Sequence, residues 1–234
     1  MAMRRIGFIG GTSWLSTVEY YRLVNLMVNE RLGGREYAQL SLDSINFGDL
    51  IRNNEANDHK ANEQILVEAA GRLAASGATA ILICANTPHM FANAIEVATN
   101  LPVIHIAKAT AAAIKEKGLS TVGLLGTRLT MENDVYHSIL SGRGIECLTP
   151  NESEINRLNL TIFGELGRGE FTDELRAEYL AMIDGLKQRG AQGVIFGCTE
   201  IPLLLGEIST TVLTFDTVHI HASAAVDFML GSSA

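Results

Sequence analysis

The residues best suited to chemistry sit where a hydrophobic run stops: Val194-Ile195-Phe196 leads into Gly197-Cys198-Thr199-Glu200. A short apolar run ending this way reads as a buried strand that delivers a thiol to the start of a helix. Backbone N–H groups left unpaired at a helix start favour a thiolate and also hold a carboxylate. A free thiol ionises near pH ~8.5, close to the working range, so Cys198 is a candidate proton-transfer group. A second run, Ala80-Ile81-Leu82-Ile83, ends in Cys84-Ala85-Asn86-Thr87, followed by Pro88 and His89. Two such strand ends, opposed, suit the removal of a proton from one face of a tetrahedral carbon and its delivery to the other. Donors at the helix starts would hold a carboxylate and the enediolate-like charge that forms on deprotonation. Candidates for that task are Asn86, Thr87, Thr199 and the turns Gly11-Thr12-Ser13 and Thr127-Arg128.

Two scaffolds are needed to position these groups, and the chain repeats itself. Val122-Gly123-Leu124-Leu125-Gly126-Thr127 echoes Ile6-Gly7-Phe8-Ile9-Gly10-Gly11 at an offset of 116. Gly190–Thr199 echoes Gly77–Asn86 at an offset of 113. Short strands alternate with amphipathic helices, which predicts an α/β fold of two similar Rossmann-like parallel-sheet halves. A pseudo-twofold would relate the halves, with the active-site cleft between them, beyond the carboxyl ends of the strands. The halves fall at residues 1–117 and 118–216, and a helix over 217–234 returns to the first.

Within the first half, strands are predicted at Ile6–Ile9, Gln39–Ile45, Ala80–Ile83 and Val103–Ile106. Ser16 and Glu19 read as a capping box for the first helix, and Asn46–Asn57 as a polar, irregular loop bordering a pocket. In the second half a helix runs from Thr130 to near Gly142, then a strand at Ile145–Leu148. Further helices lie around Glu152–Leu166 and Thr172–Arg189.

Bulk properties narrow the class. A net charge of −8 without a Lys/Arg cluster argues against nucleic acid or an anionic membrane as partner. No apolar run approaches the ~18 residues needed to span a bilayer. Met1–Arg5 leads straight into a strand, leaving no room for a secretory signal. Three widely spaced cysteines, Cys84, Cys147 and Cys198, form no disulfide framework, so a reducing cytoplasm is expected. The first strand lacks the G-x-G-x-x-G spacing of nicotinamide enzymes, and no phosphate loop, H-E-x-x-H or G-x-S-x-G occurs.

Gly-Gly-Thr-Ser-Trp at 10–14, Asn86-Thr87-Pro88-His89, Leu125-Gly126-Thr127-Arg128 and Gly197-Cys198-Thr199-Glu200 together carry a resemblance. They resemble the cofactor-independent aspartate/glutamate racemase superfamily, more narrowly its bacterial aspartate/glutamate and broad-specificity amino-acid racemase branch. The resemblance covers nearly the whole chain. It implies two Rossmann-like halves, no pyridoxal phosphate or other cofactor, a homodimer, and an amino acid or dicarboxylate as the small-molecule substrate. It also implies two cysteines that exchange the α-proton, the C-terminal one working on the L face.

One departure matters. Members with both thiols read Cys-Asn-Thr at the first strand end, whereas this chain reads Cys84-Ala85-Asn86-Thr87. The internal repeat agrees, since an offset of 113 pairs Cys198 with Ala85 and Gly197 with Cys84. Side chains alternate across a strand, so Cys84 is expected to point away from the second base's place. Alanine neither gives nor takes a proton. The expected function is therefore a racemase in which Cys198 deprotonates aspartate, glutamate or a related L-amino acid, with a directional bias. Alternatives are a single-cysteine decarboxylase of a substituted malonate, or a non-catalytic amino-acid-binding protein.

Weaker signals stay open at this stage. Glu200 either orients or deprotonates the thiol, or is a solvated first-turn carboxylate favoured by the helix dipole. Arg52 and Asn54 either bind a side-chain carboxylate or lie idle on the surface. Arg168 either substitutes for the lysine that the family often places there for a side-chain carboxylate, or is kept from that role by a backbone shift. Asp216-Thr217 ends a strand on the site side. His89 either lines the pocket or packs as a capping residue. His219 and His221, two apart, would splay about 200° on a helix and share no metal. Cys147 reads as core, and Trp14, Tyr20 and Tyr21 as site walls or packing.

Overall fold

In the computed structural model, which describes residues 3–206 and 210–231, the chain forms two compact units. The first comprises Met1–Ile106 with His221–Ala234, and the second Ala107–Ile220.

In the first unit the strands β1 (Ile6–Gly10), β2 (Leu40–Ser44), β3 (Ala80–Ile83) and β4 (Val103–Ile104) form a parallel sheet. Their order is β2-β1-β3-β4. The helices are α1 (Trp14–Leu32), α2 (Phe47–Glu55), α3 (His59–Ala75) and α4 (Ala92–Thr99). Every residue of β1 and β3 is buried, as expected of parallel strands covered on both faces. Ile9, Ile81 and Ile83 pack with Leu66, Ala69 and Leu73 of α3 and Ile95 of α4.

The second unit carries β5 (Thr121–Leu125), β6 (Glu146–Leu148), β7 (Gly193–Phe196) and β8 (Leu213–Asp216), again all parallel, in the order β6-β5-β7-β8. Its helices are α5 (Ile106–Glu116), α6 (Arg128–Glu132), α7 (Asp134–Ser141), α8 (Glu152–Phe163), α9 (Asp173–Gln188) and α10 (Glu200–Leu205). The C-terminal helix Thr217–Leu230 begins in this unit and ends in the first.

The sheets share more than their strand order. Ile6 pairs with Ala80 and Val122 with Gly193, which are the positions the two sequence offsets relate. A Cβ on Gly7 would lie 2.8 Å from Leu73 Cβ, and one on Gly123 would lie 2.7 Å from Leu186 Cδ1. Each central strand thus carries a glycine where a helix leucine presses onto the sheet. That pair also obeys the offsets. The expectation of two α/β halves built alike holds at the level of single contacts.

Three local expectations are corrected. The N-cap of α1 is Ser13, whose hydroxyl accepts from Ser16 N, so Ser16 and Glu19 form no capping box. Ser16 points inward and donates to the Cys84 carbonyl at 2.8 Å. Residues 46–57 are mostly helix: Asn46 caps α2, and Phe47, Leu50 and Ile51 form an apolar stripe, with Leu50 buried in the core. The helix expected over 130–142 breaks at Asn133, which turns extended and caps α7 through Val135 N. No helix among the described residues is long and apolar enough to cross a membrane.

Candidate active site

Cys198 leaves β7 two residues past its end, and the break has a backbone cause. Gly197 N donates to Leu125 O at 2.7 Å, and a Cβ on Gly197 would lie 3.0 Å from that same oxygen. A glycine there lets β7 approach β5 closely and turns the next residue out of the sheet. Cys198 is half-buried, and its sulfur donates to Oε2 of Glu200 at 2.8 Å.

Glu200 is buried, 7% exposed, at the first position of α10. Burial pushes the Cys198 thiol well above its ordinary value, and the Glu200 charge and hydrogen bond push it the same way. The backbone N–H groups of Glu200 and Thr199 pull it down, as the sequence anticipates for a helix start, but they are outweighed. The resting pair is thus a protonated thiol against a carboxylate. Moving the proton to Glu200 creates a thiolate without changing the charge of the pair, and a buried carboxylate 2.8 Å away makes that transfer short. The alternative of a solvated Glu200 does not fit its burial.

Thr127 and Thr199 share this end of the second sheet. Thr127 caps α6, accepting from Thr130 N, and Thr199 precedes α10 without a side-chain cap bond. Arg128 is bound to Glu132, Glu152 and Asn156. Asp216 caps the C-terminal helix through Val218 N and His219 N, and Thr217 donates to Phe196 O at 2.7 Å. Both hold the end of β7 and its neighbour in place. Arg168 is exposed and paired with Glu170. Cys147 packs against the core, its thiol pushed up to about 12 by burial.

In the first unit the matching strand end carries Ala85, Asn86 and Thr87, all half-buried, ahead of a 3-10 turn over Thr87–Phe91. Cys84 N donates to Ile9 O at 2.9 Å, the bond that Gly197 N makes to Leu125 O in the second sheet. Cys84 is therefore the structural counterpart of Gly197, and Ala85 that of Cys198. Cys84 is 1% exposed, and burial pushes its thiol far above the ordinary range.

The turn after β1 adds Thr12 and Ser13. Gly11, at φ +94, makes the turn; a Cβ there would lie 2.0 Å from Ile45 O. Thr12 Oγ1 is buried without a hydrogen-bond partner in the protein, whereas Ser13 is occupied as a helix cap. Since β1 and β3 are neighbours and parallel, these two turns lie side by side. Arg52 and Asn54 sit instead on α2. Arg52 pairs with Asp49, and Asn54 accepts from Asn62 Nδ2 at 2.8 Å in a network that ties α2 to α3.

Sequence reasoning missed one group. His221 joins Tyr20 through Nδ1 at 2.8 Å and Ile104 O through Nε2 at 2.5 Å, and its ring packs on His89. Tyr20 and His221 are 201 positions apart, so no local pattern links them. His219, two residues before it on the same helix, is exposed, as a pair that shares no metal allows. Among the described residues no group of three or more His, Cys, Asp or Glu is placed to hold a metal ion.

The model of the Asp/Glu/hydantoin racemase family matches residues 9–225. The crystal structure of a candidate Asp/Glu racemase from Yersinia pestis is similar, with 43% identity and a TM-score of 0.92 over 97% of this chain and 100% of that one. That of PH1733, an aspartate racemase homologue from Pyrococcus horikoshii OT3, has 34% identity and a TM-score of 0.86, again over 97% and 100%. RacX of Bacillus subtilis (strain 168), a broad-specificity amino-acid racemase, is 23% identical over 175 residues, 74% of each chain.

Proposed function

Because this chain belongs to the Asp/Glu/hydantoin racemase family and is an isomerase, we propose that it is an amino-acid racemase with a single working thiol. Cys198 removes the Cα proton of aspartate, glutamate or a related L-amino acid without pyridoxal phosphate. The observation that carries the reading is the Cys198–Glu200 hydrogen bond of 2.8 Å at the end of β7. Glu200 accepts the thiol proton, the thiolate sulfur takes the Cα proton, and the electron pair moves into the substrate carboxylate as an enediolate. Donors at Thr127 and Thr199 offset that charge in the second unit. The first unit offers its own donors at Thr12, Ser13, Asn86 and Thr87, of which the buried Thr12 hydroxyl is best supported.

Ala85 occupies the place in the first unit that matches Cys198, so the repeat supplies no second thiol and the proton returning to the substrate comes from water. This supports a directional bias, with L-substrates entering the reaction faster than D. Arg52, Asn54 and Arg168 receive little support as side-chain carboxylate binders, since each is already bonded within the protein. A homodimer is supported by the exposed stripe Trp14, Val18 and Tyr21 on α1.

Chiral chromatography of each amino acid after incubation tests the reading. The L-form of at least one is expected to yield its D-form, and Cys198→Ala to stop the conversion. The lone thiol also favours a second reading, decarboxylation of a substituted malonate, for which carbon dioxide release without racemisation would be the mark.

A further inference from the structure

Behind Ala85 and Asn86 lies a buried cluster of imidazoles that the proton-transfer scheme does not use. His89 is 2% exposed, one turn beyond Asn86. Its Nδ1 lies 2.8 Å from Ala85 O and 3.2 Å from Asn86 O. Carbonyl oxygens only accept, so Nδ1 carries the hydrogen. Nε2 is then a bare lone pair, and it is buried without a hydrogen-bond partner in the protein.

His221 is fixed by the same logic with the opposite result. Ile104 O can only accept, so Nε2 of His221 is the protonated nitrogen, and Nδ1 accepts from the Tyr20 hydroxyl. The His89 ring lies 4.9 Å from the His105 ring and 5.2 Å from the His221 ring. A second proton on His89 would find no acceptor and would face two other imidazoles in a buried site. Burial, with His221 and His105 nearby, accordingly holds His89 well below the usual histidine range.

The turn that His89 grips is closed from the backbone as well, His89 N donating to Asn86 O at 3.1 Å. Pro88 within it has no N–H to give. Resting on the proposed role of Asn86 as a substrate donor, we propose that His89 is a positioning residue. Held neutral with its hydrogen on Nδ1, it fixes the carbonyls of Ala85 and Asn86 and so sets where the Asn86 and Thr87 donors stand. It touches no reacting atom, so it acts on affinity rather than on proton transfer.

Two substitutions separate this role from mere filling of space. An asparagine amide reaches the place of Nδ1, a glutamine amide that of Nε2. His89→Asn is expected to keep the KM of the amino acid within about threefold. His89→Gln is expected to raise it about tenfold, with kcat changed far less, as for lost uniform binding. Equal KM values for the two variants would overturn the proposal.

The second measurement needs no activity: a two-bond proton–nitrogen spectrum of the ¹⁵N-histidine-labelled wild-type protein. It is expected to show the Nδ1–H form for His89 and the Nε2–H form for His221, neither titrating between pH 5 and 8. An Nε2–H or titrating His89 would overturn the proposal even if the variants failed to fold. If no amino acid reacts at all, the functional reading fails, while the spectrum still decides the state of His89.

Discussion

The sulfur of Cys198 donates to the buried carboxyl group of Glu200 across 2.8 Å, the contact on which the proposed proton transfer rests. Removing the charge of Glu200 should have two opposite effects. Glu200→Gln leaves the thiol without a proton acceptor, so turnover is expected to fall about a hundredfold, the usual scale for a lost general base. The same change removes a carboxylate that raises the Cys198 pKa. Alkylation of Cys198 by iodoacetamide at pH 8 should then become faster, not slower. Slower alkylation together with slower turnover would mean that the thiol had simply become inaccessible.

The equivalence of Ala85 and Cys198 leads to a gain-of-function experiment. Ala85→Cys restores a thiol at the half-buried position that matches Cys198. Exchange of the Cα hydrogen of the D-enantiomer is expected to rise at least ~10-fold, since a positioned acid or base typically contributes ~10²-fold or more. Cys84→Ala is expected to leave both enantiomers unaffected, because that side chain is in the core. A fall in activity with Cys84→Ala, and none of the expected gain with Ala85→Cys, would reverse the assignment.

The start of α1 distinguishes two caps. Ser13→Ala is expected to cost about 1 kcal/mol in urea unfolding, the usual value for a lost N-cap. Ser16→Ala removes the donor to the buried Cys84 carbonyl and is expected to cost ~1–3 kcal/mol. Glu19→Gln should stay within about 0.5 kcal/mol, since its Arg22 pair is exposed. A large cost at Glu19 would restore the capping box.

Acid should loosen the first unit through its histidines. His221 is held at about 4, mainly by burial, against about 6.5 in an unfolded chain. Between those values the unfolded chain binds the proton and the native one does not. Stability from this group is full above pH ~6.5 and is lost as pH falls towards ~4, a loss on the order of 3 kcal/mol. His89 contributes with the same sign. Urea midpoints of wild type and His221→Gln across this window check it. The variant, less stable at pH 7.5, should show a shallower decline, and parallel curves would refute the assignment.

The repeat was legible because it rests on strands whose pattern is dictated by burial. Ile6–Gly10 and Thr121–Leu125 are short apolar runs with a glycine at the same step, and the offsets alone make Ala85 the counterpart of Cys198 in the repeat. Helix α2 was hidden because polar residues surround its apolar stripe, although the Asn46 cap and the spacing of Phe47, Leu50 and Ile51 were there to be read. The burial of Glu200 could not be read, since a first-turn carboxylate is favoured at a helix start whether wet or dry. The Tyr20–His221–His89 cluster joins side chains far apart in the chain, and although the return of the C-terminal helix was expected, no local pattern pairs these residues.

Proton NMR of L-aspartate, L-glutamate and the other L-amino acids in deuterium oxide tests the central claim most directly. With wild-type protein the Cα–H signal of at least one is expected to fade as deuterium enters, and to persist with Cys198→Ala. Exchange that survives Cys198→Ala, or no exchange with any amino acid, would contradict the account.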